Sequence, residues 1–196
     1  SVGTLDASFT PTVSGAVSAL ALQSDGKLLV GGSGLIRLNT DGSRDTTFNA
    51  AAAFAPVVAL AVQSDGRIIV AGPGSGVPAR ILRLNSDGSI DSSFSTVSFS
   101  GPTDVQTLAL QTNGSIIVGG SFTSIGGTNT PYLARLLANG SVDPSFNPAP
   151  NGTVTAIALQ SDGRLVIGGT FNTVGGLQRV GIARLANTGE DTQTIG

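Results

Sequence analysis

The sequence predicts an all-β chain made of four copies of one unit, and three observations carry that prediction. A phrase spanning residues 17–48 returns three more times, with its Gln anchor at Gln23, Gln63, Gln111 and Gln160, so that successive anchors stand 40 to 49 residues apart. A period of that length belongs to solenoids, propellers and arrays. Inside each unit, short apolar runs are separated by Asp-Gly or Asn-Gly pairs, the signal of strands joined by tight turns. No stretch sustains a helical period.

Residues 1–16 hold a leading LDASF element and a polar loop with Pro11 and Gly15. Each unit then opens with a strand. One of its faces carries Val17/Val57/Val105/Val154, Ala19/Ala59/Thr107/Ala156 and Ala21/Ala61/Ala109/Ala158, and the other carries Leu20/Leu60/Leu108/Ile157 and Leu22/Val62/Leu110/Leu159. Side chains alternate faces along a strand, so one face is mostly small and the other large. Such a strand is buried on both sides and suits the inner position of a crowded radial sheet. The Asp-Gly or Asn-Gly pair that follows (residues 25–26, 65–66, 113–114 and 162–163) supplies the positive φ of a two-residue hairpin turn. The second strand ends on a pair of small residues: Gly31 and Gly32, Ala71 and Gly72, Gly119 and Gly120, Gly168 and Gly169. These pairs predict a bulge or a tight contact with the neighbouring sheet.

The spacer before the third strand is where the units differ. It is minimal in the first, PGSGVPA in the second, SFTSIGG in the third and TFNTVGG in the fourth. The third strand reads LIRL, ILRL, LARL or IARL, with Arg37, Arg83, Arg135 and Arg184 in one column. A second tight turn leads to a DxSF element, Asp45 to Phe48 in the first unit, expected as a short outer strand. It is matched at residues 91–94 and 143–146, and ahead of the first unit at residues 6–9.

Composition excludes several functions. A net charge of −2 leaves no broad basic surface, so nucleic acid is not expected as a partner. The longest apolar run, residues 50–62, is interrupted by Pro56 and is too short to span a bilayer. There is no Cys, hence neither a disulfide nor a thiolate metal site, and no His to serve a Ser–His or Cys–His nucleophile. Met is absent too, as expected of a processed chain or an excerpt of a longer one. Nearly all acids belong to the repeat: Asp25, Asp41, Asp65, Asp87 and Asp162 sit in turns, and Asp6, Asp45, Asp91 and Asp143 open DxSF elements, with Asp191 opening a degenerate fifth. Acids repeated in register read as structural rather than as a catalytic carboxylate pair. No enzyme activity, cofactor or metal is expected. The segments NTDGSRD and NSDGSID resemble calcium loops, but an EF-hand register would put Arg37 and Phe48 at its acidic positions.

The Arg column is expected to pair with the DxSF acids, and Phe9, Phe48, Phe94 and Phe146 to wedge between neighbouring sheets. What breaks the repeat lies in the longer spacers. Thr128, Asn129, Tyr132, Gln178 and Arg179 are the candidate ligand-binding residues, because variable loops on a rigid scaffold are where binding resides.

The phrases QSDGK/QSDGR, VGGSF, LIRLN/LARL, DGS and DxSF together resemble the bacterial delta-60 repeat, also known as a β-propeller domain of unknown function. The resemblance covers essentially the whole chain. Units one and two depart from it by lacking the SFTSIGG extension, and unit four by ending in GEDTQTIG. It implies propeller blades of three to four antiparallel strands, at about residues 17–48, 57–94, 105–146 and 154–195. It also implies an exported or surface-attached bacterial protein, and no catalytic residues. Three arrangements then stand open: a four-bladed ring closed by residues 5–9 as an outer strand, an eight-bladed ring of two chains, or an arc of a longer protein. The expected role is a non-catalytic structural or adhesive module that presents loops or self-assembles, with other blades or a surface glycan or protein as partners. A glycan- or small-ligand-binding module is the alternative.

Overall fold

The computed structural model describes residues 3–50, 56–74, 77–101 and 105–186. Its strands form one antiparallel sheet per sequence unit. Blade 1 is β1 (Val17–Leu22), β2 (Leu28–Gly32) and β3 (Leu35–Leu38), side by side in that order. Blade 2 holds β4 (Ala59–Val62), β5 (Ile68–Gly74) and β6 (Val77–Leu84), extended by β7 (Val97–Ser100). Blade 3 holds β8 (Val105–Leu110), β9 (Ile116–Gly120) and β11 (Leu133–Leu136). Its spacer strand β10 (Ser124–Ile125) joins the sheet of blade 2 through β7. Blade 4 is β12 (Val154–Leu159), β13 (Leu165–Gly169) and β16 (Ile182–Leu185), with its spacer folded into the hairpin β14 (Thr173–Val174) and β15 (Leu177–Gln178). Inner strands pack in chain order, β1 on β4, β4 on β8 and β8 on β12. This is the radial arrangement of a propeller.

The tight turns differ from the two-residue form the Asp-Gly pairs predict. Gly26 N–H donates to Gln23 O at 3.0 Å and Gln23 N–H to Lys27 O at 2.8 Å, and only Gly26 has positive φ. The loop is therefore a type I turn followed by a left-handed Gly, a three-residue hairpin. Asp25 stays in an ordinary conformation and instead accepts the N–H of Lys27 at 3.1 Å. The DxSF elements also differ from expectation. In units one to three the residue before the Asp makes a single bridge to the third strand, as Arg44 does with Leu38, and the chain then turns. The Asp carboxylate accepts the N–H two residues on, which favours a turn over a strand.

The small pairs that end the second strands have separate duties. A Cβ on Gly32, Gly72 or Gly169 would collide with the backbone carbonyl of Ala16, Pro56 or Thr153, so the chain crosses the sheet there and the inner strand bulges. A Cβ on Gly31 would stand 2.6 Å from Val57 Cγ1, and on Gly119 2.9 Å from Val154 Cγ1, both in the next blade. The first residue of the pair thus sets how closely blades stack.

The core lies between blades. Leu29, Leu35 and Phe48 of blade 1 pack on Val57, Ile68, Val70, Leu82 and Leu84 of blade 2. Ile69, Ile81 and Phe94 repeat this against Val105, Ile116 and Val118, and Ile117, Leu133 and Phe146 against Val154, Leu165 and Ile167. Every blade therefore has a leading face, which meets the blade before it, and a trailing face, which meets the blade after it.

Candidate functional site

The third-strand Arg and the DxSF element build one recurrent unit. Arg37 Nε donates to Asp45 Oδ2 at 2.8 Å, its guanidinium lies 4.7 Å from the centroid of the Phe48 ring, and its Nη1 crosses to blade 2 to donate to Ser86 O at 2.6 Å. Arg83 repeats all three contacts, with Asp91 at 2.7 Å, the Phe94 ring at 4.9 Å and Ala138 O of blade 3 at 2.7 Å. Arg135 pairs with Asp143 at 2.7 Å and stacks on Phe146 at 4.8 Å. In each unit the other carboxylate oxygen accepts an N–H and a hydroxyl, from Thr47, Ser93 and Ser145. All three Arg and all three Asp are buried.

The expected Arg–Asp pairing is therefore present, and each Arg of blades 1 and 2 also fastens its blade to the next. Charge-assisted bonds with the guanidinium fork satisfied on several sides offset the cost of burying it. The carboxylates are held ionised. The hydrogen bond from Lys27 Nζ, with those of Thr47 and Arg37, keeps Asp45 well below the usual carboxylate range. Bonds from Ser93, assisted by Arg83, lower Asp91 to about 2. Burial pushes Asp143 up, but the Ser145 bonds and Arg135 outweigh it and the net shift is downward. Acids fixed in this way are poor proton shuttles near neutrality.

The unit is split at the two ends of the arc. Asp6 Oδ1 accepts Ser8 N–H at 2.9 Å and Ser8 Oγ–H at 2.6 Å, as Asp45 does with Thr47. Thr10 N–H donates to Asp41 O at 3.0 Å, just as Asn49 N–H donates to Asp87 O at 3.0 Å and Ser95 N–H to Asn139 O at 2.8 Å. Residues 6–9 thus sit on blade 1 as a DxSF element sits on the blade that follows it. Among the described residues no Arg pairs with Asp6, which is exposed. At the other end Arg184 is exposed, whereas Arg37, Arg83 and Arg135 are buried. At the register of Asp143 and Phe146 the fourth unit carries Thr192 and Ile195, which lie outside the described residues.

The same asymmetry runs through the apolar faces. Val57, Val105 and Val154 are 0 to 2% exposed, but Val17 is 46% exposed, with Leu20 at 59% and Leu22 at 71%. Leu35, Ile81 and Leu133 are buried, while Ile182 is 65% exposed. The leading face of blade 1 and the trailing face of blade 4 are both uncovered. Large aliphatic side chains are thus grouped on one face rather than scattered singly over the surface.

The five candidate ligand residues lie on two equivalent spacers, one blade apart. Thr128 closes a turn on Ile125, with N–H to O distances of 2.9 and 3.0 Å in the two directions, and Asn129 is exposed beside it. In blade 4 Gln178 stands at the place of Asn129 and Arg179 at that of Thr130, both exposed, with Arg179 Nη1 donating to Gln178 O at 2.7 Å. Tyr132 is different. It is half-buried, packs with the cluster between blades 3 and 4, and has a φ of 67°. Its N–H and C=O bond Phe122 and Gly120 as those of Gly181 bond Phe171 and Gly169, so a Tyr stands where the next blade uses a left-handed Gly. That backbone state costs a bulky residue free energy and is worth examining for function. Aligning the two spacers would have revealed it.

None of the five lines either of two surface cavities. One, of about 150 Å³, runs under the leading segment between Val13, Val17, Ile36 and Arg44. The other, of about 490 Å³, opens between the turns of blades 2 and 3, among Gln63, Arg67, Gln111 and Asn113. Gln23, Gln63 and Gln111 each bury a side-chain oxygen without a partner. Because this recurs across blades, it belongs to the repeat rather than to one cavity. Among the described residues no group of three or more acids, His or Cys could hold a metal ion, and no helix is long and apolar enough to cross a membrane.

The match to a family is decided by the four segments that carry these units. Residues 23–48, 63–94, 111–146 and 160–190 match the model of the β-propeller domain of unknown function DUF5122. The chain belongs to this family. No curated protein matches it in sequence. In structure it is similar to the WD40 β-propeller domain of Doa1 (TM-score 0.59, 15% identity), with 81% of this chain on 50% of that one. It is also similar to streptogramin B lyase (TM-score 0.57, 20% identity), covering 89% of this chain and 52% of that one. A third neighbour is the extracellular domain of the putative one component system BT4673 of B. thetaiotaomicron (TM-score 0.56, 12% identity), where 87% of this chain covers 24% of that one. At these identities the likeness is one of fold. The DUF5122 chain spans about half the length of the first two.

Proposed function

We propose that this DUF5122 chain, whose unit we read as a delta-60 repeat, is a non-catalytic structural module of an exported or surface-attached bacterial protein. Its work is to hold spacer loops on a rigid scaffold and to associate through its uncovered blade faces. The observation that carries this reading is the fate of the charged side chains. Three Arg and three Asp are spent on buried Arg–Asp–Phe units that hold the blades, and hydrogen bonds and ion pairs keep those carboxylates ionised. The extracellular setting of the BT4673 domain agrees with an exported location.

One observation favours a second reading, a glycan- or small-ligand-binding module. Tyr132 keeps a left-handed backbone on a variable spacer where blade 4 uses Gly181. A screen against a glycan array and a hydrolase substrate panel separates the readings. The structural reading expects no turnover, and no capture that Tyr132→Ala or Arg179→Ala abolishes. Capture of one glycan class, lost in either variant, would establish the ligand module instead, and turnover of any substrate would overturn both.

A further inference from the structure

We infer that the uncovered ends of the arc are two halves of one blade junction, completed by a second copy of this chain. In that junction Arg184 of one molecule pairs with Asp6 and stacks on Phe9 of the other. This rests on the structural reading above and specifies its partner.

The internal junctions are the template. At each, a blade offers from its trailing side an Arg, the DxSF element that follows it, and an apolar residue at the start of its third strand. The next blade offers a Val and a Leu or Ile from its inner strand and, at the first two junctions, a carbonyl from its second turn. Blade 4 presents Arg184 and Ile182, both exposed, but lacks the DxSF acid and ring in register. Blade 1 presents Val17, Leu20 and Leu22, also exposed, and already carries the missing piece. Residues 6–9 are folded as a DxSF turn, with the Ser8 bonds to Asp6 and the Thr10 bond to Asp41 in place and, among the described residues, no Arg paired with Asp6. Each end lacks what the other holds.

Docking the two ends as blades 1 and 2 dock also supplies the third contact. Arg37 reaches Ser86 O and Arg83 reaches Ala138 O, and the same position in blade 1 is Thr40. Arg184 would therefore donate to the carbonyl of Thr40 in the other copy while pairing with its Asp6. The apolar contact would place Val17 and Leu20 against Ile182, where Val57 and Leu60 lie on the trailing face of blade 1. Such an interface is head-to-tail, so it must either close by rotation or propagate. Two copies make eight blades, within the range that propellers close. Most of this arc matches about half of the Doa1 propeller domain, in keeping with a ring that needs further blades.

Light scattering over a concentration series tests the number of copies, and mixed single-Cys variants test the junction. The chain has no Cys, so Asp6→Cys and Arg184→Cys introduce lone thiols at exposed positions and leave the core untouched. The expected result is a discrete particle of about twice the 19.4 kDa chain mass. A disulfide should form when the two single-Cys chains are mixed, and in neither alone. Leu20→Lys and Ile182→Lys should each give monomers, and mixing them should restore a dimer, because one junction then joins two unaltered faces. A monomer at every concentration would overturn the inference and leave the non-catalytic reading standing. So would a dimer indifferent to both Lys variants, a ladder of masses, or a cross-link within a doubly substituted chain that closes four blades on themselves.

Discussion

Blades 2 and 3 and blades 1 and 4 are built from the same phrase but live in different surroundings. In the inner pair both faces are covered, so Ile69, Ile81, Ile117 and Leu133 are buried on trailing faces and Val57 and Val105 on leading ones. In the outer pair one face of each is open, and the residues of those same columns, Val17 and Ile182, meet solvent. Identical local chemistry thus gives core in one place and surface in another. A blade does not hold its own core. It holds half of one, and the neighbour supplies the rest, which is why stability in repeat folds is carried by junctions.

Substitutions paired across equivalent positions measure this difference. The largest effect is expected for Asp91→Ala, which leaves the Arg83 guanidinium buried without its acid and should cost about 3–5 kcal/mol in a urea titration. Asp6→Ala, at the equivalent acid without an Arg, should stay within about 0.5 kcal/mol at dilutions where the chain is monomeric. Equal losses at the two positions would erase the distinction between complete and split units. Next comes Ile117→Ala, inside the junction of blades 3 and 4, at about 2–5 kcal/mol. Val166→Ala, its column mate on the open face, should cost less than about 1 kcal/mol under the same conditions.

Acid should act on the buried units. The pKa values of Asp45, Asp91 and Asp143 are lowered on folding, with Asp91 at about 2. Their contribution to stability is therefore complete above the unfolded value of about 3.9, and is lost as pH falls from there towards the folded values. Thermal melts should be flat above about pH 5 and drop steeply below about pH 4. A transition near pH 6 would point to some other group. A small effect is also expected for Arg164→Ala. Its pair with Asp162, at 2.5 Å, is exposed on both sides, and its loss should shift stability by at most about 1 kcal/mol, least at high salt.

Much of this architecture can be read from the residues. Arg37, Arg83 and Arg135 stand in one column and the DxSF acids in another, and charge alone says they should meet. The bonds from Arg37 to Ser86 O and from Arg83 to Ala138 O carry no such signal, because a backbone carbonyl exists at every position. Only the packing of one blade on the next brings that particular one within reach. The turns teach a similar lesson. Asp25-Gly26 announces a reversal, but Gly26 alone takes the left-handed conformation and the Asp carboxylate caps the chain two residues on, giving a longer loop than the dipeptide suggests. At the spacers the variable residues were visible as variable, whereas the left-handed backbone of Tyr132 appears only when its hydrogen bonds are matched to those of Gly181.

By itself the sequence determined that the chain is all-β, that it repeats four times, where each turn falls and that the DxSF acids pair with the Arg column. Those features follow from local periodicity, from Gly in left-handed turns and from charge, which act within a few residues of one another. Which faces are core and which are left open was decided only by the tertiary structure. Burial depends on whether a neighbouring blade is present, and Val17 and Val57 carry the same side chain on either side of that difference.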